Sequence, residues 1–192
     1  MSLIRNLFAL FGVIALIALG GGWLWIQDRI GGLDPEAVRI YTDMMEKVLT
    51  TGDGVEATVW RIPVEEGLTA EDVEETLKFV ANEHNLSNVG ELPLYKDVEA
   101  KTGKPYRFVK IYMFCNSVTA AKMLDYSDAF SAYLPCRISL VEDKQGRLWL
   151  IALNMDLMIH GGAPLPPKLK AEALQVKDYI LDLMHRGATG EF

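Results

Sequence analysis

The strongest hydrophobic pattern in the chain is an uncharged run near its start, from Leu7 to Ile26. Its length, about twenty residues, is what a helix needs to cross the hydrocarbon core of a bilayer. Trp23 and Trp25 stand at its far end, where indole rings favour the membrane interface. The alternative is a cleaved signal peptide, because the Ala-Leu-Gly sequence at residues 18–20 is a tolerable cleavage site. The run continues past that site into the tryptophans, which favours an uncleaved anchor.

The charges that flank this run bear on its orientation. Arg5 precedes the run and favours a cytoplasmic amino terminus, whereas Arg29 and Arg39 follow it and favour the opposite arrangement. We expect a single-pass protein of the bacterial inner membrane, attached through residues 7–26, with its soluble part in the periplasm.

A linker and an amphipathic helix follow, over residues 31–54. Asp34 is the expected cap of the helix, Pro35 suits its first turn, and the glycines near Gly54 end it. Its apolar positions recur at helical spacing: Val38, Tyr41, Met45 and Val48.

Residues 55–192 combine strand and helix patterns and form the third segment, after 1–30 and 31–54. Strand patterns occur at 55–64, 106–115, 136–143 and 147–154, while 91–101 is compatible with strand or helix. Thr69 and Asp72 form a capping-box pattern at the start of one helix, and Ser117 is the expected cap of a short one. A long helix is predicted from about Lys168 to His185, with Gly187 at its C-cap. This order predicts the α+β class, an antiparallel sheet with packed helices, preceded by one transmembrane helix.

The chain has two cysteines, and strand alternation places both on apolar faces. These faces are predicted as two sets: Val109, Ile111, Met113 and Cys115 on one strand, and Cys136, Ile138 and Leu140 on the next. Consecutive antiparallel strands would bring Cys115 and Cys136 to the same end of the sheet, pointing inward. Three interpretations stay open: two structural thiols in a core, a redox pair or disulfide, and a ligand or metal contact.

A second group of candidate donors is Met155, Met158 and His160. Thioether and imidazole donors suit copper(I) or an axial position on haem. The competing interpretation is that residues 155–159 extend the preceding strand into the core and His160 lies in a loop.

Composition narrows the function classes. The net charge of −7, from 19 basic and 26 acidic residues, argues against nucleic acid as a partner. The sequence contains none of the catalytic or phosphate-binding motifs that would nominate a reaction, and no carboxylate pair stands out as a general acid and base. The pattern therefore favours a non-catalytic binding or accessory domain, with a cofactor left open. Its partner would be a membrane protein, a second copy of the chain, or a small apolar or redox ligand.

Two motifs carry a resemblance to a known family. Cys115 and Asn116 end one strand, and residues 134–137, Leu-Pro-Cys-Arg, begin the next. With these two motifs the chain resembles a bacterial and archaeal family that is called domain of unknown function, family 302. The resemblance covers roughly residues 55–154. Ser117 stands where the family usually has proline.

The resemblance implies a strand-helix-four-strand-helix architecture like the TATA-binding-protein fold. It also implies that Cys115, Asn116, Cys136 and Arg137 belong to the family motif, as ligand-binding or redox candidates. It supplies no reaction and no cofactor, because the family has no settled function.

Overall fold

The computed structural model describes residues 2–192, with side chains described from residue 6 onward. Arg5, on which the predicted orientation rests, therefore has no described side chain. The helices are α1 Ser2–Ile30, α2 Ala37–Thr51, α3 Ala70–Glu83, α4 Leu94–Thr102, α5 Ser117–Tyr126, α6 Asp156–His160 and α7 Pro167–Thr189. The strands are β1 Val59–Pro63, β2 Ser87–Leu92, β3 Val109–Cys115, β4 Cys136–Glu142 and β5 Leu148–Leu153.

Helix α1 contains the apolar run. Within its segment Asn6–Ile30, the most apolar stretch of 18 residues has a mean hydropathy of 2.3, and none of its side chains is buried against the rest of the protein. By length and composition this helix can cross a membrane, and a signal sequence would pass the same test.

The five strands form one antiparallel sheet in the order β1-β5-β4-β3-β2. Helices α3 and α7 pack against each other and cover one face of the sheet. Strand, helix, four strands and helix follow one another as predicted, with the short helices α4, α5 and α6 in the connections. The predicted α+β class is confirmed.

The first helix of the sheet domain begins as its sequence predicts. The Thr69 side chain accepts a hydrogen bond from the Asp72 backbone N–H, and the Asp72 carboxylate accepts one from the Thr69 backbone N–H. From this cap, α3 directs Val73, Leu77 and Val80 into the core, where all three are fully buried.

The buried face of β3 is the one opposite to the prediction. Tyr112 and Phe114 are fully buried, whereas Ile111 and Met113 are only half-buried on the other face. Lys110 shares the buried face because its amine pairs with two carboxylates, Glu74 at 2.7 Å and Glu91 at 2.6 Å. In the sequence, the charge of Lys110 is typical of a solvent-exposed face. Its carboxylate partners on other elements let Lys110 lie on the core-facing side of the strand.

Two further predictions fail at the ends of elements. Residues 56–58 form a 3₁₀ turn, so the first strand starts at Val59 and not at residue 55. The helix α5 is capped by Asn116, whose side chain accepts a hydrogen bond from the Thr119 backbone N–H, and Ser117 is its first residue.

The long helix α7 does not end at Gly187. It continues to Thr189, and Gly190 takes the left-handed conformation that ends it. Gly187 lies inside the helix, at a position where a Cβ would come within 2.9 Å of the Leu77 side chain and 3.2 Å of Leu150. This glycine serves close packing of α7 on α3 and the sheet.

Candidate functional site

The two cysteines meet at one end of the sheet, as the sequence predicts. Cys136 on β4 is paired with Phe114 on β3, and Phe114 is the residue just before Cys115. Both thiols are free and half-buried. Cys115 points inward for a reason that the alternation missed: it is the last residue of β3, where the chain turns into α5.

A small pocket, with a cavity volume of about 30 Å³, opens between this end of the sheet, α5, α6 and α7. Its wall is apolar and rich in sulfur, and it is lined by Cys115, Asn116, Thr119, Ala120, Met123, Phe130, Leu134, Cys136, Met155, Met158, Ala173 and Val176. We call it the sulfur pocket. Both cysteines and three of the eight methionines of the chain contribute to it.

Met155 and Met158 reach this pocket through a helical turn. The chain leaves β5 at Leu153 and forms α6 at once, so the predicted extension of the strand through residues 155–159 is wrong. Residues three apart on a helix lie on the same side, which places Met155 and Met158 together.

His160 is directed away from the two methionines. It does not line the sulfur pocket, and its Nδ1 lies 3.0 Å from a carboxylate oxygen of Asp34. The other Asp34 oxygen accepts a hydrogen bond from Lys170 on α7. Asp34, His160 and Lys170 form what we call the Asp34 cluster. The interpretation of His160 as a loop residue is also wrong, because it ends α6 and is buried.

The Asp34 cluster joins the segment after α1 to the sheet domain. Asp34 was predicted to cap α2, but that helix begins only at Ala37. The buried Asp34 carboxylate instead accepts a hydrogen bond from the backbone N–H of Glu36, in the turn before the helix. The Lys170 hydrogen bond is the main reason that the pKa of Asp34 falls to about 2. Nothing in the local sequence around Asp34 indicated these distant partners.

The sulfur pocket keeps the Cys136 thiol protonated. Burial raises the pKa of Cys136, and the adjacent Cys115 raises it further, to about 11. Arg137 lowers it slightly, but its side chain is exposed and does not line the pocket. A nucleophilic cysteine needs a lowered pKa, so this environment suits binding better than nucleophilic attack.

Sulfur atoms are the most numerous donors at the pocket. Within residues 2–192, no three or more histidine, cysteine, aspartate or glutamate side chains are grouped so that they could hold a metal ion. The sulfur pocket instead offers two thiols and three thioethers, with the Asn116 side chain engaged in capping α5. Met123 was not singled out in the sequence. It lies one helical turn after Thr119, and both line the pocket because this spacing puts them on one face of α5.

Comparisons with known proteins agree with this fold. The crystal structure of an uncharacterized conserved protein DUF302 from Bacillus stearothermophilus is similar, with a TM-score of 0.55 and 15% sequence identity, over 67% of this chain and 97% of that one. No curated protein matches the sequence. The family model described as domain of unknown function DUF302 matches residues 60–186, which include β1 from its second residue, β2 to β5, α3 and most of α7. The chain therefore belongs to the DUF302 family.

Proposed function

We propose that this chain is a membrane-anchored, non-catalytic binding domain whose ligand site is the sulfur pocket. The observation that carries the proposal is the convergence of Cys115, Cys136 and three methionines from separate elements on one apolar pocket. Pockets of this kind, concave and mostly apolar with a few distinctive donors, are where small ligands bind.

Acid–base chemistry has little support at this pocket. Among its lining residues only the two cysteines titrate, and the pKa of Cys136 is raised to about 11. General acid–base catalysis needs a group whose pKa lies near the working pH. This supports a ligand that is held without being transformed.

A probe experiment on the full-length chain in detergent tests the site. Ala120 lines the pocket and its neighbour Ala121 is exposed, so Ala120→Phe should obstruct the pocket and Ala121→Phe serves as the control. Toluene and silver(I) are the probes, one apolar and one sulfur-seeking. At least one should raise the melting temperature of the wild-type chain and of Ala121→Phe, but not of Ala120→Phe. A lack of response to both probes, or an equal response in Ala120→Phe, would refute the assignment.

The second candidate function is thiol redox exchange, and the adjacency of Cys115 and Cys136 favours it. The two thiols would give two electrons and two protons to the disulfide of a partner, forming one intramolecular disulfide and two partner thiols. Equilibration in mixtures of oxidised and reduced dithiothreitol, followed by maleimide gel shift, measures this. A reversible transition that is lost in Cys115→Ser would support redox exchange, and continued labelling of both thiols under oxidising mixtures would exclude it.

Anchoring by α1 and a periplasmic domain are part of the same proposal. The length and apolar character of Asn6–Ile30 support the anchoring. Arg5, before the apolar run, favours the periplasmic placement. The full-length chain should stay in carbonate-washed membranes with an amino terminus near residue 1, and a protease added to spheroplasts should digest its soluble part. A mature amino terminus near Gly21 would identify a signal peptide, and protection from the protease would place the domain in the cytoplasm.

A further inference from the structure

Sulfur atoms supply nearly all the donor chemistry of the sulfur pocket. Cys115 and Cys136 come from the facing ends of β3 and β4, while Met155 and Met158 come from the start of α6. Sheet pairing fixes the two cysteines, and Met155 is almost fully buried. The donors are therefore presented by rigid elements, as a selective ion site requires.

We propose that the ligand of this pocket is a soft monovalent cation of the copper(I) class, bound by Cys115, Cys136, Met155 and Met158. Thiolate and thioether ligands select such ions, whereas zinc sites in proteins draw on cysteine, histidine and carboxylates. Neither histidine nor carboxylate lines the pocket, because His160 is turned towards Asp34. This inference rests on the proposed function and names its ligand.

The protonated thiols are compatible with such a cation. Burial raises the pKa of Cys136, and Cys115 raises it further because two neighbouring thiolates repel each other. A bound cation removes this repulsion and favours the thiolates. Each thiol that becomes a ligand releases one proton to solvent, so binding should weaken as the pH falls.

The test uses the full-length chain in detergent, without oxygen, with copper(I) competed against a chromogenic copper(I) chelator. We expect one ion per chain and loss of binding in Cys115→Ser/Cys136→Ser. Met155→Leu/Met158→Leu should bind copper(I) more weakly, on the order of tenfold or more, since changing even a residue that only contacts a metal ligand costs that much affinity. Met113→Leu is the matched control, because Met113 is a half-buried methionine on the other face of the sheet. X-ray absorption at the copper edge should show sulfur neighbours alone.

Three results would overturn the inference: unchanged affinity in the Met155→Leu/Met158→Leu variant, zinc(II) bound as tightly as copper(I), or failure of copper(I) to bind. Failure of copper(I) to bind while toluene still stabilises the wild-type chain and Ala121→Phe, but not Ala120→Phe, would leave the pocket as a site for another ligand. Failure of every probe would remove the proposed function as well.

Helix α2 supports a separate inference, because it has two apolar stripes. One packs against the protein and contains Ala37, Ile40, Met44 and Val48. The other contains Val38, Tyr41, Met45 and Leu49, each between 43% and 78% exposed. We call this second set the outer stripe. A single-sided surface helix would show only the first.

The outer stripe is continuous with the end of the candidate membrane span. Ile30, the last residue of α1, and Leu33 line the same open groove as Val38, Tyr41 and Met45, and its volume is about 720 Å³. The Tyr41 hydroxyl donates to the Gly161 carbonyl at 2.6 Å, and the Asp34 N–H donates to the Gly162 carbonyl at 2.8 Å. These bonds fix α2 to the sheet domain with the stripe uncovered.

We infer that the outer stripe lies in the headgroup layer of the membrane that α1 enters. Amphipathic helices bind there by burying an apolar face at the boundary of headgroups and acyl chains. The bilayer is the occupant that the continuity with α1 favours, because any membrane reached by Ile30 also borders the stripe. The sheet domain would then be held at a fixed orientation close to the surface.

Spin labels on the full-length chain in phosphatidylcholine–phosphatidylglycerol nanodiscs test this, in a Cys115→Ala/Cys136→Ala background. A label at Met45→Cys should be more accessible to oxygen, which concentrates in lipid, than to a water-soluble nickel chelate. A label at Asp43→Cys, on the exposed polar side of α2, should show the reverse. Equal access of the chelate to both positions would refute the inference. Exclusion of both reagents at Met45→Cys would also refute it, because it would show a protein partner on the stripe.

Discussion

The sulfur pocket and the Asp34 cluster are both reached from the five-residue helix α6, yet their chemistry is opposite. Met155 and Met158 enter a pocket with an apolar, sulfur-rich wall, whereas His160 joins a carboxylate and an ammonium group. In sequence these three residues read as one set of metal donors. The turn of α6 separates His160 from Met155 and Met158, because His160 falls on the opposite side of the helix axis.

The difference shows how each region is stabilised. The pocket is held by packing on the buried sheet face, so its stability should respond to side-chain volume. The Asp34 cluster is held by charge, and a buried carboxylate is tolerated there because each of its oxygens has a hydrogen-bond partner. Volume changes and charge changes should therefore act on different regions.

The largest effect is expected from Leu140→Ala. Leu140 is fully buried on the sheet face that carries Cys136, so its truncation should lower the free energy of unfolding by about 2–5 kcal/mol. Ile111→Ala is the control, since Ile111 is only half-buried on the opposite face, and should cost less than about 1.5 kcal/mol. Urea unfolding of the full-length chain in detergent measures both. Equal losses would contradict the assignment of the two faces.

Asp34→Asn should lower the free energy of unfolding by about 3 kcal/mol, because it removes the charge that compensates Lys170 in a buried setting. The exposed pair of Arg39 with Asp43 offers a matched control, and Asp43→Asn should have little effect. The same urea experiment applies. A negligible loss in Asp34→Asn would show that the cluster does not stabilise the fold.

Acid should erase the difference between wild type and Asp34→Asn. The pKa of Asp34 is lowered from 3.8 to about 2 in the folded chain, so its stabilising effect is complete above pH 3.8 and is lost as the pH falls through 2. The two unfolding free energies should converge between pH 4 and pH 2. Glu91, whose pKa is also lowered to about 2, acts equally in both proteins and cancels. A constant difference over this range would contradict the pairing.

The smallest effect is the reactivity of the pocket thiols. Because the pKa of Cys136 is raised to about 11, a small maleimide should label it slowly in the native chain at pH 7 and rapidly after denaturation. Cys115→Ser reports on Cys136 alone, and Cys136→Ser reports on Cys115 alone. Rapid native labelling of Cys136 would favour the redox function over the binding function.

Local patterns in the sequence predicted most of the fold. The Thr69 capping box, the strands over residues 136–143 and 147–154 and the α+β order are confirmed, because each depends on residues close together in the chain. The meeting of Cys115 and Cys136 was also predictable, since consecutive antiparallel strands must place those positions at one end.

Only the tertiary structure decided which residues share a site. Lys110 lies half-buried on the same face as Tyr112 and Phe114, because Glu74 and Glu91 reach it from α3 and β2. Its charge therefore did not mark the exposed face of β3. Met155 and Met158 join the cysteines, and His160 joins Asp34 across 126 residues, through the single turn of α6. Sequence periodicity determines which side of its own helix or strand a residue occupies. The residues that it contacts come from distant segments, so its pairing and its burial depend on how the whole chain packs.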